Sequence, residues 1–194
     1  MARPLAFDPN EKLHQAMLLF WRKGFEATSM QDLVNALGIN RFSIYNTFGD
    51  KQALYAKVVD YYEDKVFGAL IRRLQVPEPG VETLEVYFQA LLDGLTGQRG
   101  LCGCFLQTAI LSGEVRDPQT RESINATFGR LQGALRDVII SAREKGDISP
   151  SADAEALADF LLMQVQGLIA LQGLGKGEQA RAALQVLLGQ IRSW

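Results

Sequence analysis

Ala27-Thr28-Ser29-Met30-Gln31-Asp32-Leu33-Val34-Asn35-Ala36-Leu37-Gly38-Ile39-Asn40-Arg41-Phe42-Ser43-Ile44-Tyr45-Asn46-Thr47-Phe48 reads as two short helices joined by a glycine turn. Thr28 or Ser29 supplies the N-cap oxygen of the first helix, and Leu33, Val34, Ala36 and Leu37 give it an apolar face that closes on the second. Ala36 is small where the two helices approach, Gly38 can take positive φ, and Ile39 buries the turn. Asn40 caps the second helix, which spends Ile44 and Phe48 inward. Arg41, Phe42, Ser43, Tyr45, Asn46 and Thr47 are left to face a groove, which is the sequence anatomy of a helix-turn-helix.

Those outward side chains suit duplex DNA. Arg41 can make a bidentate contact to guanine, Asn46 can read adenine or meet a phosphate, Ser43 is a short donor or acceptor, and Phe42 can lie against a thymine methyl. Tyr45 brings a hydroxyl to phosphate reach. Thr28 and Ser29 start the preceding helix and Lys51 the following one, where N-terminal amides already favour an anion, so Thr28 and Lys51 are expected to clamp the DNA backbone from either side. The bland alternative is a helical pair that only packs, with Thr28 and Ser29 as caps and Phe42 partly in the core. Residues 1 to 51 are nearly balanced in charge, so any attraction for DNA is local to this surface.

Outward from the motif the periodicity remains helical, with apolar residues recurring at three and four positions, and the spacing predicts an all-α chain of about nine helices. Pro9 precedes a long first helix, and Gly24, Gly38 and Gly49 stop the first three. A long fourth is expected from Lys51 to Leu74, ended by Pro77-Glu78-Pro79-Gly80. Longer helices follow from Val81 to Leu95, from Gln119 to Lys145, from Ala152 to Leu174 and from Glu178 to Ser193, with a short one after Cys104.

Composition excludes several function classes. The chain has 194 residues, 47% hydrophobic and 22% charged with a net charge of -2, which is enough apolar material for a core and rules out both disorder and a basic coat protein. One histidine, His14, excludes multi-histidine metal sites, and two cysteines two residues apart make no disulfide framework and fit a reducing compartment. Met1-Ala2-Arg3-Pro4 leads into charge rather than an apolar run, and no stretch reads as the roughly 18 apolar residues of a span, so no membrane partner and a cytoplasmic location are expected.

Gly24-Phe25 followed by Thr28-Ser29-Met30, the Gly38-Ile39 turn, and Ser43-Ile44-Tyr45-Asn46-Thr47-Phe48-Gly49-Asp50-Lys51-Gln52-Ala53-Leu54-Tyr55 closely resemble the TetR/AcrR family of bacterial one-component transcription regulators. The resemblance implies a three-helix DNA-binding domain, residues 1–50, then a linker helix and a helical effector-binding and dimerisation domain, residues 51–194. It further implies a homodimeric repressor, released from a palindromic operator by a small ligand or by cysteine modification. The resemblance does not name the effector.

Arg99-Gly100-Leu101-Cys102-Gly103-Cys104 lies where this family often places its pocket, and by resemblance Cys104 is the better thiol-sensor candidate, with Cys102 an addition. A thiol at a helix N-terminus is expected to have a lowered pKa; ordinary burial is the alternative. Tyr87, Phe88, Leu91, Phe105, Gln107, Thr108, Phe128, Leu131, Met163 and Gln166 lie on helices that can line an apolar cavity with a few polar groups, or simply fill the core. Leu161, Val165 and Leu168, with Ala180, Leu184, Leu187, Leu188 and Ile191, carry more apolar surface than one subunit readily covers, which predicts a four-helix bundle between two copies.

An enzyme is not expected. No GxSxG elbow, phosphate loop or dinucleotide fingerprint is present, and Gly173-Leu174-Gly175-Lys176-Gly177 lacks both context and spacing. No cofactor or metal is called for. A helical dimeric adaptor that binds protein and recognises no operator remains the rival reading.

Overall fold

Asp8 opens the first helix: its carboxylate accepts the Asn10 N–H at 2.9 Å, and Pro9 occupies a first-turn position where a missing N–H costs nothing. The computed structural model of the chain describes residues 7–97, 103–113, 115 and 117–194, and every regular element among them is helical. α1 runs Pro9–Lys23, α2 Met30–Leu37 and α3 Arg41–Phe48. α4 is one rod made of Lys51–Tyr62, a π-helical turn at Glu63–Phe67 and a last piece at Gly68–Ile71, ending three residues before the expected Leu74. α5 (Val81–Gly97), α6 (Phe105–Leu111), α7 (Pro118–Lys145), α8 (Ala154–Gly173) and α9 (Gly177–Ile191) complete nine helices among the described residues.

The first three helices close on the start of α4. Ala16 and Phe20 of α1, Leu33 and Leu37 of α2, Ile44 and Phe48 of α3, and Leu54, Tyr55 and Val58 of α4 are all buried. Each large side chain so placed contributes about 1.5–3 kcal/mol of transfer free energy. Ala36, expected at the α2–α3 contact, is exposed instead, since it lies off the Leu33–Leu37 stripe. Phe20, Phe25 and Tyr55 meet ring to ring, with Tyr55 5.1 Å from Phe20 and 4.8 Å from Phe25. A second aromatic group joins this unit to the rest of the chain. Trp21 of α1 stands 5.4 Å from Tyr62 of α4, and Phe105 of α6 lies 5.6 Å from Tyr62 and 6.0 Å from Trp21.

In the second half α8 packs between α7 and α9, and the chain end is tied down by a two-pronged Arg192–Glu85 contact at 2.6 and 3.0 Å. α8 has the length and mean hydropathy, 1.4, of a membrane-crossing helix, although every 18-residue window in it includes Asp159, so no uncharged apolar stretch of that length occurs. Its Ala158, Leu161, Val165, Leu168 and Ile169 are nonetheless buried against its neighbours.

The expected dimer surface needs correction. Leu161, Val165 and Leu168 of α8 and Ala180, Leu184, Leu187, Leu188 and Ile191 of α9 are all buried within the single chain, because they are the stripes by which α8 and α9 join the core. The exposed faces carry different residues: Met163, Gly167 and Ala170 on α8 with Leu174 just past its end, and Ala182, Ala183, Val186 and Gly189 on α9. Met163 is 60% exposed and Val186 67%.

Candidate nucleic-acid interface

The helix-turn-helix is fixed by local hydrogen bonds at each end. Ser29, and not Thr28, caps α2: its hydroxyl accepts the Asp32 N–H at 3.1 Å while the Asp32 carboxylate accepts the Ser29 N–H at 2.8 Å, a reciprocal capping box. Lys23 Nζ donates to the same carboxylate at 2.6 Å. The Lys23 ammonium, with help from Ser29, holds the Asp32 carboxyl well below its ordinary range. Gly38 ends α2 at φ 63, the left-handed region that Cβ disfavours, and Asn40 then accepts the Ser43 N–H at 2.8 Å to start α3.

Ile44 and Phe48 are buried and lock α3 in place, so its other face is set outward. Phe42 is 74% exposed, which removes it from the core, and Arg41, Tyr45 and Asn46 are exposed beside it. The Arg41 guanidinium lies 5.6 Å over the Tyr45 ring and donates to its hydroxyl at 3.3 Å, which pre-orders both side chains. Ser43 and Thr47 are half-buried, and the Thr47 hydroxyl oxygen is closed off with no hydrogen-bond partner among the described residues.

The two expected backbone clamps are placed otherwise. Thr28 is 1% exposed and its hydroxyl donates to the Gly24 carbonyl at 2.6 Å. Lys51 Nζ donates at 2.9 Å to both the Phe25 and Thr28 carbonyls and sits 4.3 Å over the Phe25 ring. Both residues spend their donors on the loop before α2, whose free carbonyls need partners. Sequence reasoning missed two sets of polar groups near α3. Gln31 and Asn35 form an exposed pair on α2, bonded at 3.0 Å, and Lys57 of α4 reaches the Thr47 carbonyl at 3.2 Å. The helical period alone could have found Gln31 and Asn35, which lie off the Leu33–Leu37 stripe.

A cavity of about 280 Å³ lies between α4, α5, α8 and the Gly103-Cys104 segment. Of the residues expected there, Tyr87, Leu91 and Cys104 line it. Phe88, Phe105 and Leu131 are buried in the core outside its lining, and Phe128 packs edge-on against Phe67 at 5.5 Å. Gln107 donates to the Gln166 carbonyl at 3.4 Å, while Thr108 and Met163 face solvent. Val165, expected at a subunit contact, lines the cavity instead. Lys65, Val66 and Phe67, all from the π-helical turn, are also in the wall.

Cys104 departs from expectation in its acidity. It caps the N-terminus of α6, yet burial pushes its thiol up from the ordinary value, and this outweighs the opposing hydrogen bonds from Tyr62 and from the Leu106 and Gln107 amides. The Tyr62 hydroxyl donates to its sulfur at 3.5 Å. Cys102 and Arg99 lie outside the described residues. On the other face of the π-helical turn, buried Glu63 accepts from Ser123 at 3.0 Å and stands 3.9 Å from Arg130. No group of three or more His, Cys, Asp or Glu able to hold a metal occurs among the described residues.

Comparison with known proteins gives consistent matches over both halves. Residues 13–58 match the family model described as bacterial regulatory proteins, tetR family, and residues 80–187 match that of the tetracyclin repressor-like C-terminal domain. The HTH-type transcriptional repressor ComR of Escherichia coli (strain K12) is 28% identical over 193 residues, 99% of this chain and 91% of that protein. The uncharacterized HTH-type transcriptional regulator YezE of Bacillus subtilis (strain 168) is 29% identical, over 83% of this chain and 84% of its own. Among solved structures, a cysteine mutant of the regulator CifR, complexed with 26-bp operator DNA, superposes with a TM-score of 0.80 at 24% identity, covering 96% of this chain and 98% of that one. A regulator from Chloroflexus aurantiacus gives 0.82 at 22% identity, covering 93% and 92%.

Proposed function

The chain belongs to the TetR family of bacterial regulatory proteins and is a DNA-binding transcriptional regulator, and from that premise we propose that it is a homodimeric repressor of a palindromic operator. Residues 1–50 are the DNA-binding unit in this reading, and residues 51–194 carry the linker helix, the effector site and the dimer contact. α3 enters the major groove, with Arg41, Phe42 and Asn46 on base edges and Tyr45 on the backbone; Ser43 and Thr47 follow at its flank. Ser29, Thr28 and Lys51 act at one remove, by fixing the entry to α2. The observation that carries the reading is the outer face of α3, where Phe42 stands 74% exposed beside Arg41 while Ile44 and Phe48 hold the helix rigidly from behind. An exposed aromatic next to an ordered guanidinium offers an apolar contact for a thymine methyl and a bidentate donor for guanine side by side.

Two copies join through the exposed apolar and small residues of α8 and α9, Met163, Gly167, Ala170 and Val186 among them, which sets two recognition helices about one DNA turn apart. Release follows when the cavity is occupied by a reversible ligand, or, more slowly because burial raises the pKa of its thiol, when a reagent entering it modifies Cys104. Such an occupant shifts α4, whose start is packed into the DNA-binding unit. No catalytic chemistry is assigned, and the cytoplasm is the compartment that a DNA-binding regulator requires. The test is recovery of fragmented genomic DNA by the purified chain, followed by footprinting across a salt series. A protected sequence with two-fold symmetry is expected; recovery of fragments with no common sequence refutes the reading and favours the adaptor.

A further inference from the structure

A cavity with hydrocarbon walls and cations at its mouth selects its guest by charge. Val66, Leu70, Leu91, Val165 and Ile169 supply the walls here, and Lys65 and Arg73 are the charged residues in the lining, with no Asp or Glu among the described residues that form it. Of the polar groups deepest in the cavity, the buried Tyr62 hydroxyl already donates to the buried Cys104 sulfur at 3.5 Å, and Tyr87 adds only a neutral phenol. A charged end of a guest therefore finds a counter-charge only at Lys65 and Arg73, so it belongs at the mouth. Lys65 and Arg73 are exposed there, Lys65 in the π-helical turn of α4 and Arg73 just past the end of that helix. Lys65 is held by Asp64 at 2.9 Å, but that pair is open to solvent and an incoming anion can replace it at small cost. A cationic guest would instead meet two like charges with no carboxylate in the lining to offset them.

We propose that the cavity takes an apolar molecule with a single anionic group, its body against Leu91, Val165 and Ile169 and its anion on Lys65 and Arg73. This names the ligand class for the release reading above and rests on it. Because Lys65, Val66 and Phe67 form most of the π-helical turn of α4, the guest bears on that helix where its hydrogen-bond register is irregular. The anion thereby acts on the rod whose first turns pack against α1, rather than on the outer helices.

The test is calorimetric titration of the full chain with octanoate, octan-1-ol and octylamine, three probes with one tail and different heads. Octanoate is expected to bind about tenfold more tightly than octan-1-ol, with octylamine weakest. The double variant Lys65→Gln, Arg73→Gln removes the advantage of octanoate and leaves octan-1-ol unchanged; both positions are exposed, so the fold is retained. Equal binding of the three, preference for octylamine, binding of none, or an octanoate preference that survives in the double variant each overturns the proposal. Operator binding of the same preparation separates the two readings. A chain that binds a duplex but not octanoate fails this inference alone, whereas one that binds octanoate but no duplex fails the operator reading.

Discussion

Phe42 and Ile44 are two residues apart on α3, yet one is 74% exposed and the other fully buried, so substitutions at the two positions separate recognition from folding. Phe42→Ala or Arg41→Ala is expected to weaken operator binding by about 1–3 kcal/mol with an unchanged melting temperature, measured by fluorescence anisotropy and thermal unfolding. Ile44→Ala removes a fully buried side chain and is expected to cost about 2–5 kcal/mol of stability in urea unfolding, with DNA binding lost alongside it. Cys104 gives a prediction in pH. Its thiol is raised by burial in the folded chain, while in the unfolded chain it ionises near the ordinary value of about 8.5. Above that value the unfolded chain gives up the proton first, so the stability held by the buried thiol is intact at neutral pH and falls as pH climbs. In a Cys102→Ser background, iodoacetamide is expected to alkylate Cys104 slowly at pH 7 and rapidly once the chain is unfolded. Fast native-state alkylation contradicts this account of the site. The inward pair Ile44 and Phe48 was legible from the helical period, whereas Thr28 was not, because two consecutive hydroxyl residues are equally good caps until the chain's path selects Ser29.

At the scale of elements, α4 is the piece whose character the sequence hides. Its length and its packing on α1 follow from ordinary apolar spacing, but no residue type separates a π-helical turn from an α-helical one, and Glu63–Phe67 reads as plain helix. The turn is held on one side by Ser123, the hydrogen-bond donor at Glu63 Oε2, while Glu63 Oε1 is buried with no partner among the described residues. Ser123→Ala is therefore expected to cost about 1–3 kcal/mol, read as a lower urea midpoint, since it leaves a second carboxylate oxygen poorly satisfied. No loss of stability would mean that solvent already serves that carboxylate. α8 fails as a sequence reading for the opposite reason. Apolar residues occur nearly all round it, so the pattern could not say that Val165 faces the cavity and Met163 faces out, although two positions of a helix point to nearly opposite sides.

At the scale of the molecule, the aromatic contacts among Trp21, Tyr62 and Phe105 join the DNA-facing helices to the cavity wall in one continuous core. In the proposed reading, a shift of α4 changes the separation of two recognition helices only when two copies hold their far ends together, so the proposed dimer is part of that mechanism. Met163→Glu combined with Val186→Glu places charge on exposed faces of α8 and α9. It is expected to give a folded monomer by light scattering that binds a full palindrome no better than a half-site. The charge balance over residues 1 to 51 is too even to carry affinity by itself, which puts the burden of recognition on the few side chains of α3. The most direct measurement is selection of bound duplexes from a random pool, run in parallel with the natural chain and with the Arg41→Ala, Phe42→Ala variant. The natural chain is expected to enrich a two-fold symmetric sequence with half-sites about 10 base pairs apart, and the variant to lose that enrichment. A natural chain that enriches nothing, or a variant that enriches the same sequence equally well, contradicts this expectation.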